Sequence, residues 1–541
     1  MLAAFVYYAF LFVALLVLPA LLVLIPLLFL RQGKHLWGWL KPVIQPVART
    51  LARSKFVRGL GARFPRTIRF ATHRLDPRHP WGLSATLAAA VIFVGLWFFL
   101  GVLQDLWAKD PLVALDIRIH NSIPLFRTPW LTSVTLVVTE LGGATVLTLV
   151  CLGVSLLALA SARQRLAATY VFALGSAAIV SVTLKVIFGS QRPVDGIINV
   201  QEASFPSGHL LSGTVVYGLL AVLLLEGRGR PVLRALGVTL LLLVIVGIGL
   251  SRLYLGVHWP SDLLGSLAVA LIVLAVSLFF LHYGSPIPWI DSFEVQLDRL
   301  FLYTIGICAL VWAVGISVLR GETAKTIPVK QLVATRVLEL GDFRTFPANF
   351  PRWSEDLIGQ RMEPVSLIIV GSYADVQQSF TRAGWALADP PTPLRVLEEG
   401  IAALRNLPDA TGPATPAFVM DRPQAFTFER PDPGSPSVRR RHHTRVWQTL
   451  HCLAPQCRPL CVATSSFDVD LELAKDFYFP THRIDPAIDR ERALVVDGLG
   501  KGGALNVGTV VASPPVSGNN AAGDPFKTDG LAVILILPER P

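Results

Sequence analysis

The chain has 541 residues, of which 52% are hydrophobic and only 16% are charged. Soluble domains carry about 25% charged residues, so this composition excludes a wholly soluble globular protein. Several uncharged runs reach the roughly 20 residues that cross a bilayer as a helix. The sequence therefore predicts a polytopic membrane protein, long enough for two or three domains.

The net charge of +11 is concentrated in residues 31–80. This segment holds twelve lysines and arginines against a single acidic residue, Asp76, and so accounts for the whole surplus. Nucleic acid could bind such a segment, but its position between two apolar runs favours anionic lipid on a cytoplasmic membrane surface, and no nucleic-acid partner is expected. Part of it is predicted to form an amphipathic helix on the lipid, with a solvated basic loop as the alternative.

Eight apolar runs are predicted to span the membrane. The first lies within residues 1–30 and is interpreted as a retained anchor, because it lacks a basic leader and a small-residue cleavage site. The other seven are Trp81–Gln104, Leu141–Ala162, Leu166–Leu184, Leu210–Leu225, Ala235–Leu250, Leu263–Leu281 and Leu300–Leu319. The stretch Asp105–Glu140, rich in Trp and Pro, is predicted to be a loop with an interfacial helix.

The positive-inside rule orients these spans. Arginines and lysines mark residues 31–80, 163–165 and 228–234 as cytoplasmic loops, and alternation from the first loop gives the same side for the other two. The eighth span then returns the chain to the outer side. Residues 321–541 are therefore predicted to be extracytoplasmic, which in a bacterium means the periplasm.

Residues 321–541 differ from the rest in having ordinary charge density and short β-branched runs separated by Pro- and Gly-rich connections, which predicts a soluble α+β domain. The predicted organisation is an anchor at 1–30, a basic interfacial segment at 31–80, a six-span core at 81–282, a linker with the last span at 283–320, and the soluble domain at 321–541.

The cysteines divide into two groups. Cys151 and Cys308 lie in apolar runs and are predicted to be packing residues. Cys452, Cys457 and Cys461 cluster in the soluble domain, with a spacing that does not predict a zinc site and an odd number that leaves one thiol over. One disulfide is expected if this domain faces an oxidising compartment, with its pairing left open.

Three polar clusters lie where apolar runs meet loops on the predicted outer side. They are Lys185-x6-Arg192-Pro193, Pro206-Ser207-Gly208-His209 and Ser251-Arg252-x5-His258-x3-Asp262. Fixed cations suit the oxygens of a phosphate group, because Arg offers a planar fork of donors and Lys a point charge. A Ser-Gly turn at a helix N-terminus offers backbone N–H groups to the same anion.

The third cluster adds a reactive pair. Asp262 can hold one ring nitrogen of His258 and leave the other free to attack phosphorus. Each cluster alone has an ordinary explanation: snorkelling cations at a helix end for Lys185 and Arg192, an N-cap for Ser207, and a favourable dipole position for Asp262. Three ordered clusters on one predicted face favour a shared phosphate site.

These motifs closely resemble those of the type 2 phosphatidic acid phosphatase superfamily, membrane lipid phosphatases that share a fold with vanadium haloperoxidases. The resemblance covers about residues 82–282 and implies an all-α helical membrane bundle with a metal-independent mechanism and no cofactor. It implies His258 as the nucleophile that forms a phosphohistidine, Asp262 as its partner and His209 as the acid. The residues implied to bind phosphate are Lys185, Arg192, Pro193, Ser207, Gly208, Ser251 and Arg252.

The soluble domain resembles the LssY-like C-terminal domain, on the signatures Arg440-Arg441-His442-His443-x-Arg445-x-Trp447 and Thr481-His482-Arg483-Ile484-Asp485-Pro486-x-x-Asp489-x-Glu491-Arg492. The resemblance does not supply a biochemical role or a protein partner. His442, His443, His482, Asp485 and Asp489 could bind a metal or an anion, but a buried polar network that ties strands together is the favoured interpretation.

The function predicted from the sequence is therefore a lipid phosphate or pyrophosphate phosphatase acting on the periplasmic face of a bacterial inner membrane, with an isoprenoid diphosphate or a phosphatidate-type lipid as substrate. One alternative is a lipid phosphotransferase that uses the same site. The other is a non-enzymatic membrane scaffold or export-associated module.

Overall fold

A computed structural model describes residues 63–74, 82–108, 111–226, 230–282, 336–347, 349–434, 437–473 and 480–539. The predicted spans within residues 1–30 and at Leu300–Leu319, together with most of the basic segment and Cys308, lie outside the described residues. Within the basic segment, α1 (Pro65–Arg74) is a helix. Its binding to lipid stays a prediction.

The first half of the chain is entirely helical in its described part. After α1 the helices are α2 (Leu83–Ala108), α3 (Pro111–Ser122) with a 3₁₀ turn at Ile123–Phe126, α4 (Pro129–Glu140), α5 (Ala144–Ala160), α6 (Gln164–Phe188), α7 (Gly208–Glu226), α8 (Pro231–Tyr254) and α9 (Pro260–His282). Five of these described helices are long and apolar enough to cross a membrane, and α4 with α5 makes a sixth if the bent pair is one span. The predicted helical membrane bundle is confirmed.

The second core span begins earlier than the sequence predicted. We expected Leu141–Ala162, whereas α4 precedes α5 and the two are bent by 45°. The prediction of a loop over this stretch rested on its Trp and Pro residues, but Pro129 and Trp130 open α4 and do not interrupt it. The bend contains Gly142, where an added Cβ would lie 2.7 Å from Ile248 Cγ2 and 3.0 Å from the His209 carbonyl oxygen, so the close approach of α7 and α8 requires glycine.

The C-terminal domain combines helices and strands, as predicted. Its helices are α10 (Tyr373–Arg382), α11 (Pro393–Arg405) and α12 (Ile488–Lys501). Its strands are β1 (Arg336–Leu338), β2 (Trp353–Glu355), β3 (Arg361–Pro364), β4 (Leu367–Val370), β5 (Ala386–Leu387), β6 (Phe418–Val419), β7 (Arg422–Pro423), β8 (Phe426–Pro431), β9 (Arg441–Leu453), β10 (Arg458–Leu473), β11 (Pro480–Ile484), β12 (Leu505–Val511), β13 (Val516–Asn519), β14 (Pro525–Thr528) and β15 (Leu531–Ile536).

The two longest strands, β9 and β10, pair antiparallel at the centre of the main sheet. The described order is β12-β15-β4-β10-β9-β8-β5, with β1 on β9 and β11 on β10, beside smaller sheets β3-β2-β6-β7 and β13-β14. Apolar clusters pack on both faces of the main sheet, one around Trp447 and Ile368 and the other around Phe380 and Phe428. Burial on both faces explains why β4 reads as a continuous apolar run.

Residues 109–128 belong to the same compact unit as the C-terminal domain, although they lie between α2 and α4 in sequence. The Arg118 side chain of α3 is buried. Its Nε donates to Asp421 Oδ1 at 2.7 Å, and its terminal nitrogens donate to the Asp356 carbonyl and to Glu355. A buried guanidinium with several acceptors fixes α3 on this domain.

The cysteines of the domain follow the expectation of one bridge. Cys452 and Cys457 form a disulfide across the turn between β9 and β10. Cys461 is a buried free thiol, and burial raises its pKa to about 12. Cys151 of α5 is also buried and free, as expected for a packing residue.

Candidate active site

Four helix ends carry the predicted site residues. Lys185 lies in the last turn of α6, and Gly208 opens α7 with His209 next to it. Arg252 lies in the last turn of α8, and Asp262 lies in the first turn of α9. Helix α6 stops because Gly189 adopts a left-handed conformation with φ of 52°, which an L side chain rarely adopts. The loops that follow carry Arg192 and His258.

His258 and Asp262 form a buried pair. His258 Nδ1 lies 3.1 Å from Asp262 Oδ2, and the two side chains are 1% and 2% exposed. The same carboxylate oxygen accepts hydrogen bonds from the Trp259 backbone N–H at 2.8 Å and from the Ser204 hydroxyl. Three donors on one oxygen hold the carboxylate in place, so the imidazole is oriented as well.

The second nitrogen of His258 faces Arg192, with 3.2 Å between Nε2 and the guanidinium. Arginine is only a donor, so Nε2 accepts and the ring proton resides on Nδ1, facing Asp262. This tautomer presents the Nε2 lone pair toward the cationic side of the site. The sequence-based interpretation required His258 and Arg192 to be close, and they are.

The charge of His258 is set by its surroundings. Burial lowers the pKa of His258 well below its ordinary value, and the positive charges of Arg252, Arg192 and Lys185 lower it further. The imidazole is therefore neutral around pH 7, which is the state in which a nitrogen lone pair can attack phosphorus.

The three cations are fixed by hydrogen bonds, and Arg192 and Lys185 share the Ala203 carbonyl as an acceptor. Arg192 donates from Nε to the Glu202 carbonyl at 2.6 Å and from its terminal nitrogens to the carbonyls of Ala203 and Val257. Lys185 Nζ donates to the Ala203 carbonyl and lies 3.4 Å from Glu202 Oε2. The loop before α7 is thereby bound to both the end of α6 and the residue next to His258.

Arg252 is 2% exposed and donates from a terminal nitrogen to Thr139 Oγ1 at 3.0 Å, while its Nε has no hydrogen-bond partner. A buried guanidinium with an unused donor is costly unless an anion is bound. Ser207 repeats this pattern, because its hydroxyl is buried and without a hydrogen-bond partner. Both groups are suited to phosphoryl oxygens.

The Ser266 side chain of α9 holds the N-terminus of α7 in place. Its hydroxyl accepts from the Ser207 N–H at 2.7 Å and donates to the Asp262 carbonyl at 2.6 Å. Asp262 and Ser266 are four residues apart on α9, so one helix face positions both the His258 partner and the Ser-Gly turn. His209 is close enough to His258, Arg192 and Arg252 to interact with them electrostatically.

For Ser251 and Pro193, two of the residues predicted to bind phosphate, the structure shows no contact that supports this role. The Ser251 hydroxyl is 2.6 Å from the Ile248 carbonyl of its own helix and donates to it. Pro193 follows Arg192 and ends no described helix, because α6 has already stopped at Phe188. Their predicted roles in phosphate binding stay predictions.

Sequence reasoning missed four residues that shape the site: Ser204, Ser266, Thr139 and Glu202. Ser266 had a usable signal, since it lies one helical turn after Asp262. Thr139 had none, because its contact with Arg252 joins residues 113 positions apart.

The histidines and acids of the C-terminal signatures do not all meet at one point, although His443 and His482 share Asp468. The other partners include Glu491 for His442, the Ser466 hydroxyl for His443, the Ala487 N–H for Asp485 and the Thr528 hydroxyl for Asp489. No three His, Cys, Asp or Glu side chains in the described ranges are grouped closely enough to hold a metal ion. The arrangement is that of a network tying strands to α12.

Comparison with known proteins divides the chain in the same way. The model of the PAP2 superfamily matches residues 166–285, and that of the LssY C-terminus matches residues 347–531. The chain is 29% identical over 200 residues to phosphatidylglycerophosphatase B of Bacillus subtilis (strain 168), covering 35% of this chain and 93% of that protein.

A second relative is the putative undecaprenyl-diphosphatase YbjG of Escherichia coli (strain K12), 34% identical over 118 residues, which are 21% of this chain and 55% of that protein. A solved structure, the transmembrane PAP2 type phosphatidylglycerolphosphate phosphatase from Bacillus subtilis, shares 21% identity and covers 35% of this chain and 94% of that one. Its TM-score of 0.31 is too low to support a structural argument.

Proposed function

Because the chain is a membrane phosphatase of the PAP2 superfamily with an LssY-type C-terminal domain, we propose that it hydrolyses a lipid phosphate or diphosphate through a phosphohistidine on His258. The observation that carries the proposal is the position of the His258 imidazole, with Nδ1 on Asp262 and Nε2 facing Arg192 at 3.2 Å. The names of the two relatives favour phosphatidylglycerophosphate and undecaprenyl diphosphate as first substrates to test.

In the proposed reaction, His258 Nε2 attacks phosphorus as the bond to the leaving oxygen breaks. Arg192, Arg252 and Lys185 bind the phosphoryl oxygens and stabilise the charge that develops in the transition state. His209 donates a proton to the leaving oxygen and then accepts one from water, whose oxygen attacks phosphorus and releases phosphate from Nε2. Asp262 keeps its negative charge and stabilises the imidazolium.

We further propose that the site faces the periplasm of a bacterial inner membrane. If α4 and α5 together count as one span, two spans lie between residues 109–128 and the 189–207 loop. Two more spans lie between that loop and residues 255–259. All three segments therefore emerge on one side of the membrane. Because α3 packs in the same unit as the C-terminal domain, that domain shares this side. The Cys452–Cys457 disulfide supports an oxidising compartment. Binding of residues 31–80 to anionic lipid belongs to the opposite, cytoplasmic side.

The test is phosphate release by the purified full chain from a panel of phosphatidylglycerophosphate, undecaprenyl diphosphate and phosphatidate. We expect His258→Ala to reduce turnover of the preferred lipid by at least about a thousandfold. His73→Ala, which removes an exposed histidine of α1, is the matched control and should retain activity. Full activity in His258→Ala would refute the proposed nucleophile.

The same assay separates hydrolysis from phosphotransfer. With labelled lipid phosphate, the proposal requires the label to appear as inorganic phosphate in water. Label that appears on an added acceptor lipid, and not in water, would establish the phosphotransferase alternative instead.

A further inference from the structure

The C-terminal domain contains a cavity of about 110 Å³, lined by both charged and apolar side chains, beside the ends of β8, β9 and β10. Its walls include five carboxylates but only two guanidinium groups, Arg441 and Arg445. Four ionisable residues of the LssY-like signatures line this cavity, namely Arg441, His443, Arg445 and His482. Neither the phosphatase reaction nor the packing of the sheet accounts for it.

The carboxylates of this wall outnumber its two guanidinium groups, and Asp468 has the imidazoles of His443 and His482 beside it as well. Arg441 pairs with two of these carboxylates, Glu429 Oε2 at 2.8 Å and Asp468 Oδ2 at 3.4 Å, and also with Glu399 Oε1 at 3.0 Å, which does not line the cavity. Arg445 lies 3.4 Å from Glu363 Oε2. A buried wall with excess negative charge is destabilised until protons or a bound cation balance it.

Glu429 identifies where a cation would bind. It is 1% exposed, and its Oε1 has no hydrogen-bond partner, although its Oε2 is bonded to Arg441. Burial raises the pKa of Glu429 well above its usual range, because Arg441 offsets only part of the lost hydration. A ligand that donates to Oε1 would remove this penalty.

The residues of the wall restrict the class of ligand that the cavity can bind. An anion would meet the excess of carboxylates. A tightly chelated metal ion needs several ligands at fixed short distances, and the described residues offer no such group. An organic ammonium needs only hydrogen-bond acceptors and negative charge around it. Met362, Pro416 and Ile484 add apolar surface to the wall, which suits a short carbon chain.

We propose that this cavity binds a primary ammonium group carried on a short carbon chain, with Glu429 Oε1 as its principal acceptor. Two sources share this chemistry, namely a free small amine and the headgroup of an aminophospholipid. The C-terminal domain is thereby a ligand-binding module rather than only a rigid attachment to the phosphatase.

The experiment measures binding to the purified full chain by isothermal titration calorimetry. Ethanolamine is the probe, ethylene glycol replaces its ammonium with a hydroxyl, and sodium phosphate tests the anion alternative. We expect ethanolamine to bind and the other two not to. Binding of phosphate without ethanolamine, equal binding of ethylene glycol, or no binding of any probe would overturn the proposal, and this comparison needs no variant.

A variant then locates the site. Glu429→Gln keeps the shape and an acceptor for Arg441 but removes the negative charge, and it should weaken ethanolamine binding at least tenfold. Glu398→Gln is the matched control, because Glu398 is a half-exposed carboxylate of α11 paired with Arg395, and its affinity should equal that of the wild type. Unchanged affinity in Glu429→Gln would also overturn the proposal.

The source of the ammonium is decided in nanodiscs. If the headgroup is the ligand, added ethanolamine should bind more weakly in discs that contain phosphatidylethanolamine than in discs of phosphatidylcholine, because the lipid competes. Equal affinity in the two discs identifies a free amine. Either result supports the cavity as an ammonium site and distinguishes the two sources.

Discussion

Among the described residues, two buried histidine–aspartate pairs have a serine beside them, one in each compact unit. In the helical unit, His258 Nδ1 is 3.1 Å from Asp262 Oδ2. In the C-terminal domain, His443 Nδ1 is 3.2 Å from Asp468 Oδ1. The two pairs are nearly equal in distance and burial, so those properties alone do not separate a reactive pair from a structural one.

The difference lies at the second ring nitrogen. His258 Nε2 faces Arg192, and a bound phosphate could replace this imidazole as the partner of the guanidinium. His443 Nε2 is bonded to the Ser466 hydroxyl at 2.8 Å, and Ser466 is completely buried and does not line the cavity. The order Ser466-His443-Asp468 is that of a hydrolase triad, but its serine has no access to a substrate. A histidine is available for chemistry only where its second nitrogen faces a replaceable partner.

The largest effect is expected from a substitution that disrupts the first pair, His258 and Asp262. Asp262→Asn leaves the shape intact, but an amide donates to Nδ1 and favours the tautomer with its proton on Nε2, which cannot attack phosphorus. We expect kcat to fall by about 10,000-fold, as for the corresponding change in a serine protease triad. Lipid phosphate release by the purified variant measures this. A loss of less than about tenfold would show that Asp262 does not set the tautomer.

Disrupting the second pair, His443 and Asp468, should lower the stability of the C-terminal domain and leave the phosphatase activity unchanged. Burial alone would raise the pKa of Asp468, but the adjacent His443, His482 and Arg441 outweigh it and hold the pKa below its usual range, so the group is a carboxylate that these three share. Asp468→Asn removes that charge and should lower the free energy of unfolding of the domain by about 3 kcal/mol.

The measurement is denaturant unfolding followed through the buried Trp447, which packs in the core of the same domain. Phosphate release at a temperature where the variant is folded should match the wild type. A variant that is as stable as the wild type, or one that is folded and inactive, would contradict a purely structural role for the second pair.

Sequence reasoning found the reactive pair because its residues are close along the chain. His258 and Asp262 are four apart, and the neighbouring helix ends could be ordered by hydropathy and the positive-inside rule. Lys185 and Arg192 were predicted from their charge, and the structure places Arg192 beside the reactive nitrogen. The contacts of Ser204 with Asp262 and of Thr139 with Arg252 could not be predicted, because they depend on how distant helices pack.

The C-terminal domain was less predictable for the same reason. Its α+β class followed from the short β-branched runs, but the register of β9 on β10 decides that His443 lies opposite Ser466. A shift of one residue would have turned His443 to the other face. The docking of α3 through Arg118 was also not predicted, because it joins residues 237 positions apart.

The smallest expected effect concerns the pH dependence of the reactive pair. Burial and three nearby cations lower the pKa of His258, so the imidazole stays neutral, and able to attack, below its ordinary pKa of 6.5. The acid limb of kcat/KM should therefore lie below pH 6.5. Lys185→Gln removes one of the cations, which raises the pKa and should move this limb upward by at most about one pH unit.

Rates measured from acid to alkaline pH show in which direction the acid limb moves. The position of this limb is independent of the lower overall activity expected of the variant. Lys501→Gln is the matched control: this lysine of α12 is exposed and paired with Asp497, so the limb should not move. An unmoved or downward-shifted limb in Lys185→Gln would mean that His258 does not carry the titration. The nearby cations would then not set the protonation state of the reactive imidazole, and the contrast between the two pairs would fail.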